Sequence, residues 1–142
     1  VIHHTELLAQ LLKEGKIEIE EDREEIAFHD SCYLGRGNGI YEAPREIISE
    51  LQKDLKELKS CRTKGLCCGA GGAQVFKEPE PGAIDVQVKR TEEIIESGVK
   101  KVAIACPFCM VMMPHKDDQQ VKMLRDPISM QVDPLSWFAD HL

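Results

Sequence analysis

The apolar positions fall into short runs separated by charged stretches, and their spacing alternates between helix-like and strand-like. Leu7, Leu8, Leu11 and Leu12 share a helical face that Thr5 can cap, and Gly15 ends it. His3 and His4 just before it read as ordinary polar residues at a helix entry. Six acidic residues and one arginine then fill 18–25, a solvated connector to which no chemistry is assigned. Glu25-Ile-Ala-Phe-His29 reads as a strand, followed by Asp30-Ser31-Cys32 and a glycine-rich turn over 35–39. Pro44 suits the first turn of the next helix, whose buried stripe is Ile47, Ile48 and Leu51, with Leu55 as a further member.

The next strand is placed near Leu55 to Lys59, where Leu55 and Leu58 do not alternate cleanly. Pro79 and Pro81 mark a turn. A helix is expected over 83–97, with Ile84, Val88, Thr91 and Ile95 at i, i+4, i+7 and i+11 and Gly98 as terminator. Lys101-Val-Ala-Ile-Ala105 has the continuous apolar character of a buried parallel strand. A short helix through Met110 to Met113, its methionines read as core, a strand over Val121 to Leu124 and a terminal helix over Pro134 to Leu142 complete the expectation. Strand, helix, strand, helix, strand in this order predicts an α/β fold: a mainly parallel sheet with flanking helices and cysteine clusters at strand C-terminal ends.

At 142 residues the chain reads as one domain: a lead-in helix and connector over 1–25, a cysteine-bearing core over 26–113, and a strand and helix over 114–142. A chain of this size buries roughly two thirds of its unfolded surface, so its cysteines are not needed as staples. Its net charge of −7 argues against nucleic acid as a partner. No apolar stretch is long enough to span a membrane, and no signal peptide is seen. A reducing cytosol is the expected compartment, where clustered cysteines more often bind metal or do redox chemistry than form disulfides. The start at Val1 with a helix already under way suggests a piece of a longer polypeptide.

Five of the six cysteines form a pattern: Cys32, then Cys67 and Cys68 after 34 residues (33 to 66), then Cys106 and Cys109 after 37 (69 to 105). Each gap has room for a strand-helix-strand excursion, so three loops of one domain can bring five thiols together. Cys61 lies outside the spacing and reads as an ordinary side chain. Four thiolates satisfy tetrahedral zinc or a cubane cluster, and a fifth, with two ligands on consecutive residues, suits a multinuclear cluster better. Gly69, Gly71 and Gly72 would let the backbone approach an inorganic core with its amides toward sulfur. Cys106-Pro-Phe-Cys109 after a strand also fits thiol-disulfide exchange, which leaves the other three thiols unexplained. His29 and Asp30 are placed to tune a cluster or relay protons, with a backbone bond at the strand end as the alternative for His29. Arg36 and Arg45 could offset the charge of a thiolate-rich cluster.

The pattern resembles the cysteine-rich CCG domain found in heterodisulfide reductases and in the iron-sulfur subunits of glycolate oxidase and lactate utilisation enzymes. The residues that carry the likeness are His29-Asp-Ser-Cys-Tyr-Leu-Gly-Arg36, Asn38-Gly-Ile-Tyr-Glu-Ala-Pro-Arg45, Cys67-Cys-Gly-Ala-Gly-Gly72 and Ala105-Cys-Pro-Phe-Cys109. Ser31 stands where relatives often have proline, and the segment from Pro114 to Pro134 departs from the usual text. The resemblance implies a C-terminal copy of a domain that occurs twice per polypeptide, often behind a ferredoxin-like module, with a flavoprotein or similar redox partner. It implies cytoplasmic location, with attachment to the inner face of a membrane only through other parts. It further implies that Cys32, Cys67, Cys68, Cys106 and Cys109 ligate a 4Fe-4S cluster of noncubane type, zinc being the alternative. An isolated, aerobically prepared fragment is open to losing that metal or forming a disulfide among the five thiols.

Overall fold

The computed structural model describes residues 1–17, 25–51, 54–78, 81–113 and 122–124. The connector over 18–24, the helix expected over 134–142 and Pro79 lie outside the described residues. Helix α1 (His4–Lys13) leads into strand β1 (Glu25–His29), a single turn of helix α2 (Gly35–Asn38), helix α3 (Glu42–Glu50) and the two-residue strand β2 (Asp54–Leu55). Two 3-10 turns, Arg62–Lys64 and Gly71–Phe76, follow, then α4 (Val86–Glu96), β3 (Lys101–Ile104), α5 (Pro107–Met112) and β4 (Lys122–Leu124).

The four strands are parallel in the order β2-β1-β3-β4, with Ala27 beside Val102, His29 beside Ile104 and Val102 beside Met123. After β2 the chain crosses over β1 to the far side, so strand order reverses between β1 and β3. In open parallel sheets that reversal point is where a crevice forms outside the strand ends.

Side-chain alternation along β1 serves both faces of the sheet. Ala27 packs with Ile94, Val99, Val102 and Ile104 in one cluster, while Ile26 and Phe28 pack with Ile48 and Ala103 in another. Helix α4 therefore covers one face and α3 the other, as reversed crossovers of the same hand require.

Several details differ from expectation. The cap of α1 is His3, whose side chain accepts from the Thr5 amide while Glu6 accepts from the His3 amide. Thr5 is buried with Ala9, and Leu7 is exposed, because among the described residues α1 packs chiefly against α3 and needs a narrow stripe. The glycine-rich turn over 35–39 closes as α2, with Gly39 left-handed behind it. Strand β2 is shorter than expected, since only Glu25 and Ile26 offer it a partner. Helix α4 begins at Val86 and buries Arg90, Thr91 and Ile94, while Ile84 and Ile95 are exposed. The apolar count along α4 finds Thr91 but misses the centre of the buried stripe, which pairs Ile94 with the charged Arg90.

Candidate metal centre

Cys32 follows β1 by three residues and Cys106 follows β3 by two, so the reversal point places both at one edge. Cys106 sits in extended conformation immediately before α5, with Pro107 opening the helix and Cys109 buried in its first turn. The vicinal pair arrives differently from the strand-end placement expected for it. Eleven residues (56–66) separate Cys67 from β2, and this segment is held by side chains in place of a strand.

Those holds come from both sides. Arg45 binds Asp30 with both terminal nitrogens, at 2.8 and 3.0 Å, and Glu57 at 2.6 and 2.9 Å, and it also donates to the Tyr41 carbonyl. Asp30 in turn accepts the Arg62 amide at 2.7 Å, which secures a residue in left-handed conformation (φ 54°). Burial opposes ionisation of Asp30, but the hydrogen bonds from Arg45 and Arg62 outweigh it and hold the carboxyl below its ordinary range. Arg36 closes the far end on the Gly65 carbonyl. From the other sheet face, Arg90 donates to the Ser60 carbonyl and Glu93 accepts the Ser60 amide.

The segment delivers Cys67 and Cys68 against the other thiols. Gly69 turns with φ +85°, and its amide reaches Cys67 Sγ at 3.3 Å. A Cβ at this position would stand 3.0 Å from Gln87 Oε1 on α4, so only glycine fits without strain. A Cβ at Gly71 or Gly72 would meet nothing within 4 Å, so of the three glycines only Gly69 is closely packed against the protein.

Cys68 and Cys109 are buried and hydrogen-bonded to each other. The Cys109 bond is the main reason the Cys68 thiol is pulled down to about 4, with His29 and the Ala70 amide assisting. Cys109 is pushed up for the same reason, by its bond to Cys68, then by burial and by the charge of Cys68 and Cys106. Cys32, at the exposed rim, is raised by burial first and then by the charges of Cys67, Cys68 and Cys106. Cys32 thus feels Cys67, Cys68 and Cys106, and Cys109 feels Cys68 and Cys106, while among the described residues the group close enough to share one ion is His29, Cys68 and Cys109. Cys61 faces Glu57, Arg45 and Asp30 instead. Above the thiols opens a pocket of about 820 Å³ lined by Cys32, Cys68, Cys106 and Cys109 and rimmed by Tyr33 and Phe108.

His29 is fully buried at the end of β1. Its Nδ1 accepts Arg90 Nε–H at 3.1 Å, so a side chain, not a backbone bond, holds the ring. Among the described residues Nε2 has no hydrogen-bond partner, and one ring nitrogen lies within 4.8 Å of Cys68 and Cys109 Sγ. Reasoning from the sequence missed Arg90 altogether, because at helical spacing it reads as part of a solvated face. Arg45, expected to offset cluster charge, is committed to two carboxylates.

The donor set suits a soft cation. Several thiols in one place demand a positive charge once ionised, and zinc and iron-sulfur iron are the ions such sulfur prefers. The chemistry of the donors suits either group.

Known proteins agree with that chemistry. The chain is 43% identical over 115 residues to a probable iron-sulfur-binding oxidoreductase, FadF, of Bacillus subtilis, covering 80% of this chain and 16% of that protein. It is 35% identical over 120 residues to the EtfAB:quinone oxidoreductase of Syntrophomonas wolfei, covering 80% of this chain and 17% of that protein. Against one of the subunits of a heterodisulfide reductase from Methanosarcina acetivorans it is 35% identical over 112 residues, 77% of this chain and 27% of the other. The chain therefore spans between about a sixth and a quarter of the length of these relatives. No solved structure matches it. No helix among the described residues is long and apolar enough to cross a membrane. The model of the cysteine-rich domain CCG matches residues 26–114, and with its thiols gathered at the reversal point of a parallel sheet the chain belongs to that family.

Proposed function

We propose that this domain is an electron-transfer unit of a larger iron-sulfur oxidoreductase, in which Cys32, Cys67, Cys68, Cys106 and Cys109 ligate a 4Fe-4S cluster of noncubane type. The observation that supports the reading is the meeting of Cys32, Cys68, Cys106 and Cys109 around one pocket, with Cys61 beside Glu57 and Arg45 instead. A fifth thiol is surplus for a mononuclear zinc site and useful where irons need unequal coordination. When bound, the cluster supplies one-electron storage. The chain supplies sulfur ligands, the Gly69 turn that lets the pair approach, and two apolar cores that limit water beneath it. The relatives named as iron-sulfur-binding, quinone-linked and heterodisulfide reductase proteins support the electron-transfer role.

The same reading gives the domain a ferredoxin-type module and a first CCG copy in the full-length chain, a flavoprotein or similar redox partner, and a cytoplasmic setting. Exchange of disulfides by Cys106 and Cys109 alone is the lesser reading, since it leaves Cys32, Cys67 and Cys68 without a role.

Iron and acid-labile sulfide analysis with EPR after anaerobic purification tests the proposal. Cys68→Ser and Cys106→Ser should lose iron, and Cys61→Ser should keep it. A colourless protein holding one zinc per chain would sink the cluster.

A further inference from the structure

We infer that His29 is a positioning residue for the metal centre, donating a hydrogen bond from Nε2–H to its sulfur, and that Arg90 fixes this role by occupying Nδ1. The inference rests on the reading that the thiols hold a metal, but not on which metal they hold.

The position of the ring hydrogen follows from Arg90. A guanidinium donates and never accepts, so the 3.1 Å bond from Arg90 Nε to His29 Nδ1 requires a lone pair on Nδ1. The single hydrogen of the neutral ring is then on Nε2. Arg90 itself cannot drift, since it is fully buried and its Nη1 is held by the Ser60 carbonyl at 2.8 Å and by Glu93 at 2.7 Å. The ring is set by a residue 61 positions away, on the helix that covers this face of the sheet.

Nε2–H is buried and unpartnered among the described residues, a costly state that proteins rarely tolerate without a purpose. The neighbours available to it are sulfurs, with Cys68 and Cys109 within 4.8 Å of the ring. Read by distance alone, His29, Cys68 and Cys109 form a three-residue metal site. The Arg90 bond argues against ligation. Binding a cation through Nε2 would require the ring to lose its remaining hydrogen or to break with Arg90. Donation to cluster sulfur needs neither, and a hydrogen bond to sulfur stabilises the reduced state and raises the potential.

Two measurements decide the assignment. With histidine labelled in ¹⁵N, addition of zinc(II) to the metal-free protein should leave His29 as the Nε2–H tautomer. A metal-bound Nε2 signal at one equivalent would overturn the proposal. In the anaerobically prepared, iron-loaded protein, pulsed EPR should show a proton coupling that disappears in D₂O and only weak ¹⁴N coupling. His29→Leu should lose that proton and move the midpoint potential lower at unchanged iron and sulfide content, and His29→Gln, which keeps an N–H donor, should recover much of the shift. Strong ¹⁴N coupling, loss of iron in His29→Gln, or an unchanged potential in His29→Leu would each overturn it. Should His29→Leu not fold, the D₂O comparison on the unaltered protein still decides. Should the protein carry no iron, the cluster reading falls and the zinc experiment still judges His29.

Discussion

His29 and Asp30 are adjacent, both buried, and each is met by a buried arginine from a different helix. On the α3 side, Arg45 spends every guanidinium nitrogen on Asp30, Glu57 and the Tyr41 carbonyl, and its Cζ lies 5.6 Å from the Phe28 ring centre. On the α4 side, among the described residues, Arg90 leaves Nη2 without a hydrogen-bond partner and His29 leaves Nε2 without one. The first network is closed and explains itself as support for the loop that carries Cys67 and Cys68. The second is open, and its open end at His29 lies beside the thiols.

Removing Arg45 should have the largest effect, because Arg45→Met strands Asp30 in the interior. A loss of about 3–5 kcal/mol in urea unfolding is expected. Arg90→Met removes fewer satisfied bonds, and Glu93 keeps the Ser60 amide as a partner, so about 1.5–3 kcal/mol is expected in the same measurement. A larger loss for Arg90→Met than for Arg45→Met would erase the contrast between closed and open networks. Gly69→Ala forces a side chain into left-handed backbone beside Gln87 and should cost about 1–2 kcal/mol. It should also lower metal content, and Gln87→Ala in combination should restore part of both. The smallest effect belongs to an exposed pair remote from either arginine: Lys13→Ala, which breaks the contact with Glu46, should change stability by no more than about 0.5 kcal/mol.

What the sequence reveals is uneven along the chain for physical reasons. Strand β1 is readable to the residue because Ile26, Ala27 and Phe28 sit between charged ends and pack on both faces. The parallel α/β arrangement follows from the order of such segments. Helix α4 is found but its buried stripe is read only in part, since burial of Arg90 depends on His29 and Ser60, partners far away in sequence. Strand β2 is nearly absent because the segment after it is fixed by ion pairs, which leave no periodicity to read. At the site, cysteine spacing picks out a group of five and sets Cys61 aside. It gives no sign that Cys68 pairs with Cys109 or that His29 is held by its Nδ1. Those facts are made by tertiary contact.

The support given to the segment over 56–66 also bears on how tightly a metal can be held. Ser60, Arg62 and Gly65 are already fastened to α4, Asp30 and Arg36 before any ion arrives. Each residue that an incoming cation must order costs about 1–2 kcal/mol of backbone entropy, drawn from its own binding energy. By immobilising the approach to the vicinal pair in advance, the salt-bridged side of the molecule acts as the rigid frame of a chelator. Its contribution to affinity is made wholly by residues that never touch the ion.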